Sequence, residues 1–189
     1  MSSLKSTRGK LIVLSAPSGT GKTAIKNELL IQDPTLVFSV SATTRPKRED
    51  ERDGKDYYFI SESEFKAHID NGDFIEFDHH FGNYYGTLKM AVDPDLQLGS
   101  NVILDVDVVG ALNVKKTYGD QAVLIFIKPP SLEELRKRLE TRGTETAESL
   151  KIRLARVEDE LGKADRFDHV VINDIVTRAA GEILDIMRK

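Results

Sequence analysis

Residues 10–23 read Lys10-Leu11-Ile12-Val13-Leu14-Ser15-Ala16-Pro17-Ser18-Gly19-Thr20-Gly21-Lys22-Thr23, and this stretch decides the fold. The aliphatic run Leu11-Ile12-Val13-Leu14 has no polar alternation, as a strand buried on both faces of a parallel sheet requires. A glycine-rich turn follows it. A helix then starts near Lys22 and carries Ile25, Leu29 and Leu30 on one side. Strand, glycine turn and helix, with Lys-Thr at the junction, match the phosphate-binding loop G-x-x-x-x-G-K-[ST]. Ala16 stands where the consensus has its first glycine, which is tolerable if the backbone there needs no positive φ. From Ala16 through Pro17, Ser18, Gly19, Thr20 and Gly21, the backbone can turn amides inward on phosphates at the positive end of the helix dipole. Lys22 adds a point charge for the β- and γ-phosphates, and the Thr23 hydroxyl can ligate magnesium. The loop therefore implies a nucleoside triphosphate carried with Mg2+.

Working outward, strands and helices alternate, which favours a mostly parallel sheet covered by helices. Further buried strands are expected over residues 101–107, 121–128 and 169–172. Ser131-Leu132-Glu133-Glu134 has capping-box spacing, and Leu132, Leu135 and Leu139 recur with helical period. Leu150, Leu154, Val157 and Leu161 line the next helix, and Ile175, Ala179, Ile183 and Met187 line the last. The fold class is α/β, a P-loop NTPase-type parallel sheet with helices on both faces. Two stretches break the rhythm. Residues 41–97 are rich in aromatics, glycine and charge, with short strands over 57–60 and 74–77, and form a small α+β insertion. A helix over 88–98 is expected to stop or kink at Asp93, because Pro94 is disfavoured in a helix interior. Residues 141–149 are polar, and Gly143 is a candidate pivot there. The organisation is a core of residues 1–40 and 98–189, the insertion at 41–97, and a short lid at 130–155 within the core.

Composition bounds the function. The chain has 189 residues, 40% hydrophobic and 31% charged, enough for one sizeable domain. It contains no cysteine, which excludes disulfides, thiolate zinc sites and cysteine nucleophiles. Residues 1–10 lack the apolar run of a signal peptide, and no stretch is long and apolar enough to span a bilayer. A cytoplasmic address is expected. A net charge of −4 argues against nucleic-acid and membrane partners. The basic residues nevertheless cluster, at Arg45, Lys47, Arg48 and Arg52 and again at Arg136, Lys137, Arg138 and Arg142. A solvated face accounts for either cluster alone; two in a net-acidic chain suggest small anionic ligands. The sequence does not decide between a monomer and a homo-oligomer.

Asp105 and Asp107 close the strand expected over 101–107, and ligands gather at the carboxyl ends of parallel strands. Either could hold magnesium through water or bind a second substrate, although a strand-ending Asp also commonly caps the next helix. Within the insertion, Ser41-Ala42-Thr43-Thr44-Arg45-Pro46-Lys47-Arg48 is followed by Gly54-Lys55-Asp56-Tyr57-Tyr58-Phe59, Gly72-Asp73-Phe74-Ile75-Glu76-Phe77 and Gly82-Asn83-Tyr84-Tyr85-Gly86-Thr87. Guanidinium groups grip phosphate as a bidentate fork, and tyrosine hydroxyls add donors. A carboxylate such as Glu76 can accept from two adjacent N–H donors at once. One tyrosine of each pair is expected to face a ligand and the other to pack.

On these motifs the chain resembles the guanylate kinases over nearly its whole length. The resemblance implies an enzyme that transfers the terminal phosphoryl group of ATP to GMP, with Mg2+. It implies that Arg45, Arg48, Tyr57 and Tyr85 bind the phosphate of GMP. Ser41, Glu76, Gly86 and Thr87, with Asp105 or Asp107 nearby, would surround guanine and ribose. Arg138, Arg142 and Arg153 resemble lid arginines that close over the transferring phosphate beside Lys22, and Asn173 matches a residue near the adenine. Two alternatives remain open. One is a non-catalytic guanylate-kinase-like binding module, of the kind that recruits peptides and has a degraded loop. The other is a P-loop kinase for another phosphorylated acceptor.

Overall fold

The computed structural model describes residues 8–80, 82–141 and 147–188. At its centre lies β1 (Leu11–Ser15), every residue of which is buried. It pairs in parallel with β7 (Val102–Asp105) on one side and β8 (Ala122–Lys128) on the other. With β2 (Val37–Phe38) and β9 (His169–Ile172) at the edges, the five-stranded order is β2-β7-β1-β8-β9, parallel throughout. The period-2 geometry of a strand divides β1 between two cores. Leu11 and Val13 enter one cluster with Leu104, Phe126, Ala111 and Val114, under α4 (Val108–Tyr118). Ile12 and Leu14 enter the other with Ile25, Leu29, Ala179 and Ile183, under α1 (Lys22–Gln32) and α7 (Val176–Met187). The unbroken aliphatic run is thereby explained, since each side chain of β1 meets a helix layer.

A second sheet, β4-β3-β6-β5, falls entirely between residues 42 and 88. It comprises β3 (Ala42–Thr43), β4 (Tyr58–Phe59), β5 (Phe74–His80) and β6 (Asn83–Leu88), and β3 and β5 both run antiparallel to β6. The helix α2 (Glu62–Asp70), capped by Ser61 accepting from the Glu64 amide at 3.2 Å, lays Phe65 on this sheet. Phe65 stacks on Phe74 at 4.3 Å and on Tyr84 at 5.2 Å between ring centroids. Between Phe74 and Glu76 the β5–β6 register shifts. Such a bulge re-aims side chains. Here Ile75 joins the main core beside Val92, Leu96, Val106 and Val108, while Glu76 stays opposite Thr87.

Several boundaries differ from expectation. The strand expected over 101–107 ends at Asp105, and Asp107 is instead the N-cap of α4, its Oδ1 accepting from the Gly110 amide at 2.7 Å. Over 88–98 the chain makes a short 3₁₀ turn, Lys89–Ala91, and then α3 (Asp93–Gln97). Pro94 sits in the first turn of α3, where its missing N–H has no partner to lose. The helix starts at Asp93 and does not stop there. The helices α5 (Leu132–Thr141) and α6 (Ala147–Leu161) pack through Leu135, Leu139 and Val157. Arg142 and Gly143 lie outside the described residues.

Candidate active site

The loop between β1 and α1 is held by three constraints. Gly19 and Gly21 adopt φ of 86° and 94°, a region that favours glycine. Space forbids side chains there as well. A Cβ on Gly19 would meet Leu139 Cδ2 at 2.8 Å, and one on Gly21 would meet Asn173 Nδ2 at 2.7 Å. Finally, Asn173, buried just beyond β9, donates from Nδ2 to the Thr20 carbonyl at 2.7 Å. Asn173 therefore staples the loop from the far edge of the sheet, 153 positions away in the chain. Beside it a cleft is lined by Gly19, Gly21, Glu134, Lys137, Arg138, Asn173, Asp174 and Val176. Among the lid arginines, Arg138 lines this cleft, with its Nε 3.3 Å from Glu134. Arg136–Glu140 and Lys137–Glu133 make further pairs four residues apart, so much of that basic cluster is balanced along α5. Arg153 is half-buried on α6 and lines neither cleft described here.

At the carboxyl ends of β1 and β7 the loop meets the second sheet. Lys22 extends its ammonium to Asp105 Oδ1 at 2.5 Å and to the Val106 carbonyl at 3.0 Å. A cleft of about 420 Å³ opens there. Its walls include Lys22, Asp105 and Asp107 from the core and Ser41, Arg45, Arg48, Tyr57, Glu76, Tyr85 and Gly86 from the insertion. Residues far apart in sequence thus converge on one side of one space. Tyr57 and Tyr85 face it, their ring centroids 6.2 Å apart, and burial raises the Tyr57 phenol. Their sequence neighbours divide differently from expectation. Tyr84 packs on Phe65, but Tyr58 is 40% exposed and packs little.

Glu76 is the buried acid of the cleft, 8% exposed, and accepts from Thr87 Oγ1 at 2.6 Å. Desolvation pushes its carboxyl up to about 7, against the Thr87 hydrogen bond and with help from nearby Asp107. Thr87 itself is fully buried. Asp107 lines the cleft while one oxygen caps α4, and Asp105 is engaged by Lys22.

Sequence reasoning missed Glu51. Its carboxylate grips Arg45 through two bonds, Nη1 to Oε2 at 2.8 Å and Nη2 to Oε1 at 2.7 Å, and also accepts from the Arg48 amide at 2.8 Å. These hydrogen bonds lower the Glu51 carboxyl to about 2 and raise the Arg45 guanidinium. Arg45 also lies over the rings of Tyr57 and Phe59, at 5.4 and 5.6 Å from their centroids. Asp78 and His80 line the cleft too, with His80 stacked on Tyr85 at 4.5 Å.

The family model for guanylate kinase matches residues 8–189. The chain belongs to the guanylate kinase family. It is 46% identical to the guanylate kinase of Bacteroides thetaiotaomicron, over 99% of this chain and 92% of that protein. It is 51% identical to the guanylate kinase of Salinibacter ruber, over 95% of each. A crystal structure of guanylate kinase from Anaplasma phagocytophilum superposes with a TM-score of 0.78 at 34% identity, covering 96% of this chain and 86% of that one. The guanylate kinase match spans the loop, both sheets and the elements that line both clefts.

Proposed function

We propose that this chain is an ATP:GMP phosphotransferase, giving ADP and GDP. The observation that carries the proposal is the single cleft joining Lys22 of the phosphate loop to Arg45, Tyr57, Tyr85 and Glu76 of the insertion. ATP fits the loop and the neighbouring cleft beside Asn173, with its γ-phosphate toward Lys22. GMP fits the cleft shared by the core and the insertion, with its phosphate on Arg45, Arg48, Tyr57 and Tyr85 and its base on Glu76 and Ser41, Thr87 standing behind Glu76. Residues 41–97 then form the acceptor-binding unit, residues 1–40 and 98–189 the core, and 130–155 the lid that carries Arg138, Arg142 and Arg153.

An oxygen of the GMP phosphate attacks the γ-phosphorus, and the bond to the β,γ-bridging oxygen breaks, leaving ADP. The second ionisation of a phosphate falls near about pH 6, so the acceptor needs no general base. Alignment and charge neutralisation are what remain to be supplied. Lys22 can leave Asp105 for the donor phosphates, and Arg45, pre-aimed by Glu51, fixes the acceptor. Among the described residues no cluster of three or more acidic or imidazole groups could cage a metal. Mg2+ takes its oxygens mainly from substrate phosphates and water, plus one or two protein oxygens. The exposed Thr23 hydroxyl, a hard oxygen in the first turn of α1, would hold it. Bound there, Mg2+ would neutralise charge on the β- and γ-phosphates.

No helix among the described residues is long and apolar enough to cross a membrane. The proposed compartment is the cytoplasm, in keeping with a cysteine-free sequence. The test is release of ADP with each of GMP, AMP, UMP and CMP. Equal amounts of GDP and ADP with GMP, and little ADP with the other three, are expected. Indifference to the base would reject the guanine assignment. Absence of turnover with every acceptor would favour the binding-module alternative.

A further inference from the structure

Gly110 lies in the first turn of α4 and is buried against the second sheet. Its backbone conformation is not one reserved for glycine, so an alanine there would ordinarily favour the helix. Space alone opposes one. A Cβ at this position would lie 2.8 Å from Glu76 Oε2, 3.3 Å from Glu76 Cδ and 3.2 Å from Asp107 Oδ1. The first distance is shorter than real Cβ contacts allow, and the atom in the way ends a side chain, not a stretch of backbone. The other Glu76 oxygen is tied to Thr87 Oγ1 at 2.6 Å, so the carboxylate is bracketed between β6 and α4. Asp107 is fixed on the same turn through its bond to the Gly110 amide at 2.7 Å.

We infer that Gly110 is a positioning residue for base selection. Its bare Cα lets the first turn of α4 seat against the Glu76 carboxylate and hold both oxygens where guanine N1–H and N2–H₂ can be met together. The inference rests on the proposed assignment of Glu76 to guanine. A methyl group at Gly110 would swing the carboxylate end away while the backbone stays in place. Reach to the exocyclic amino group would then be lost before the fold is.

The test is Gly110→Ala, assayed with GMP and with IMP, whose base keeps N1–H and lacks the amino group. Overpacking of this kind predicts a KM for GMP higher by roughly tenfold to a hundredfold. The kcat should change far less, ATP affinity should be unchanged, and thermal unfolding should shift only slightly, because the gain in helix propensity offsets part of the overpacking. The ratio of kcat/KM for GMP over IMP should collapse toward one, which loss of general stability would not produce. Glu76→Asp supplies a second background, because an acid shorter by one methylene clears the new methyl group. There Gly110→Ala should add little to the KM for GMP. A Gly110→Ala enzyme with the parent's KM and GMP/IMP ratio overturns the inference while leaving the GMP assignment standing. So does a variant in which the two changes simply multiply. A parent enzyme without preference for GMP over IMP overturns both.

Discussion

Replacing Glu76 by glutamine should separate stability from function in this chain, in opposite directions. The acid is 8% exposed, and burial raises it from an ordinary 4.5 to about 7. That rise is equivalent to about 3 kcal/mol of unfavourable folding free energy once the carboxyl is fully ionised. The sign follows from proton binding. Between the two values the folded chain holds a proton that the unfolded chain has released, so stability falls as pH rises through that window. Glutamine has the same shape and no charge to desolvate. Measured by urea unfolding without nucleotide, Glu76→Gln should therefore match the parent in acid. Its advantage should grow by about 2 kcal/mol between about pH 5 and pH 8. In steady-state assays the same change replaces one acceptor oxygen by an NH₂ that faces a guanine donor. A lost charge-assisted hydrogen bond of about 1.5–3 kcal/mol predicts a fall of roughly 10- to 100-fold in kcat/KM for GMP, with ATP binding preserved. A variant that uses GMP within about threefold of the parent, or that gains no stability as pH rises, would refute the reasoning.

Lys22→Ala should lower kcat by about 100- to 1000-fold with unfolding little changed, since it removes the donor aimed at the transferring phosphate; an active, folded variant would contradict the loop assignment. Glu51→Gln should raise the KM for GMP by up to about fivefold at unchanged kcat, because it weakens only a partly solvated brace on Arg45. Titration with GMP checks this, and an unchanged KM would mean that Arg45 needs no brace. Asn173→Ala leaves the Thr20 carbonyl without its 2.7 Å donor and should destabilise the chain by about 1–3 kcal/mol. Calorimetry and ATP titration together should show an earlier melt and weaker ATP binding.

How much of this was legible in the sequence depends on the range of the interaction involved. The loop and β1 were, because aliphatic run, glycine turn and Lys-Thr are all local signals. The alternation of Leu11 and Val13 against Ile12 and Leu14 between two cores was not needed to infer burial on both faces. Asp107 was misplaced in the strand because the alternation Leu104-Asp105-Val106-Asp107 looks the same whether the last Asp ends a strand or caps a helix. Only the bond to the Gly110 amide distinguishes them. Glu51 stayed hidden among Glu49, Asp50 and Asp53, since no fixed spacing says which acid in a charged loop folds back on Arg45. The resemblance placed Asn173 near the adenine, but its bond to Thr20 was not legible, because it joins two ends of the chain. Arg138 was placed in the right helix, yet its pairing with Glu134 follows equally from ordinary helical spacing.

The acceptor cleft itself poses an electrostatic question that the individual residues answer. On the proposed reading it takes a polyanion, yet its lining includes Glu51, Glu76, Asp78, Asp105 and Asp107 against Lys22, Arg45 and Arg48. Spread evenly, such charge would repel phosphate. It is not spread evenly. Glu51 is consumed by Arg45, Asp105 by Lys22, and one oxygen of Asp107 by the helix cap. Each pairing aims a cation or a helix end without using up the cation's donors, since a guanidinium carries five N–H and an ammonium three. Glu76 is buried and, among the described residues, has the Thr87 hydroxyl and no basic group as its side-chain partner, which leaves it for a neutral base with two adjacent donors on the proposed reading. On the proposed assignment the acids thus divide the cleft into a phosphate end, where they hold cations in position, and a base end, where an acid is itself the recognising group.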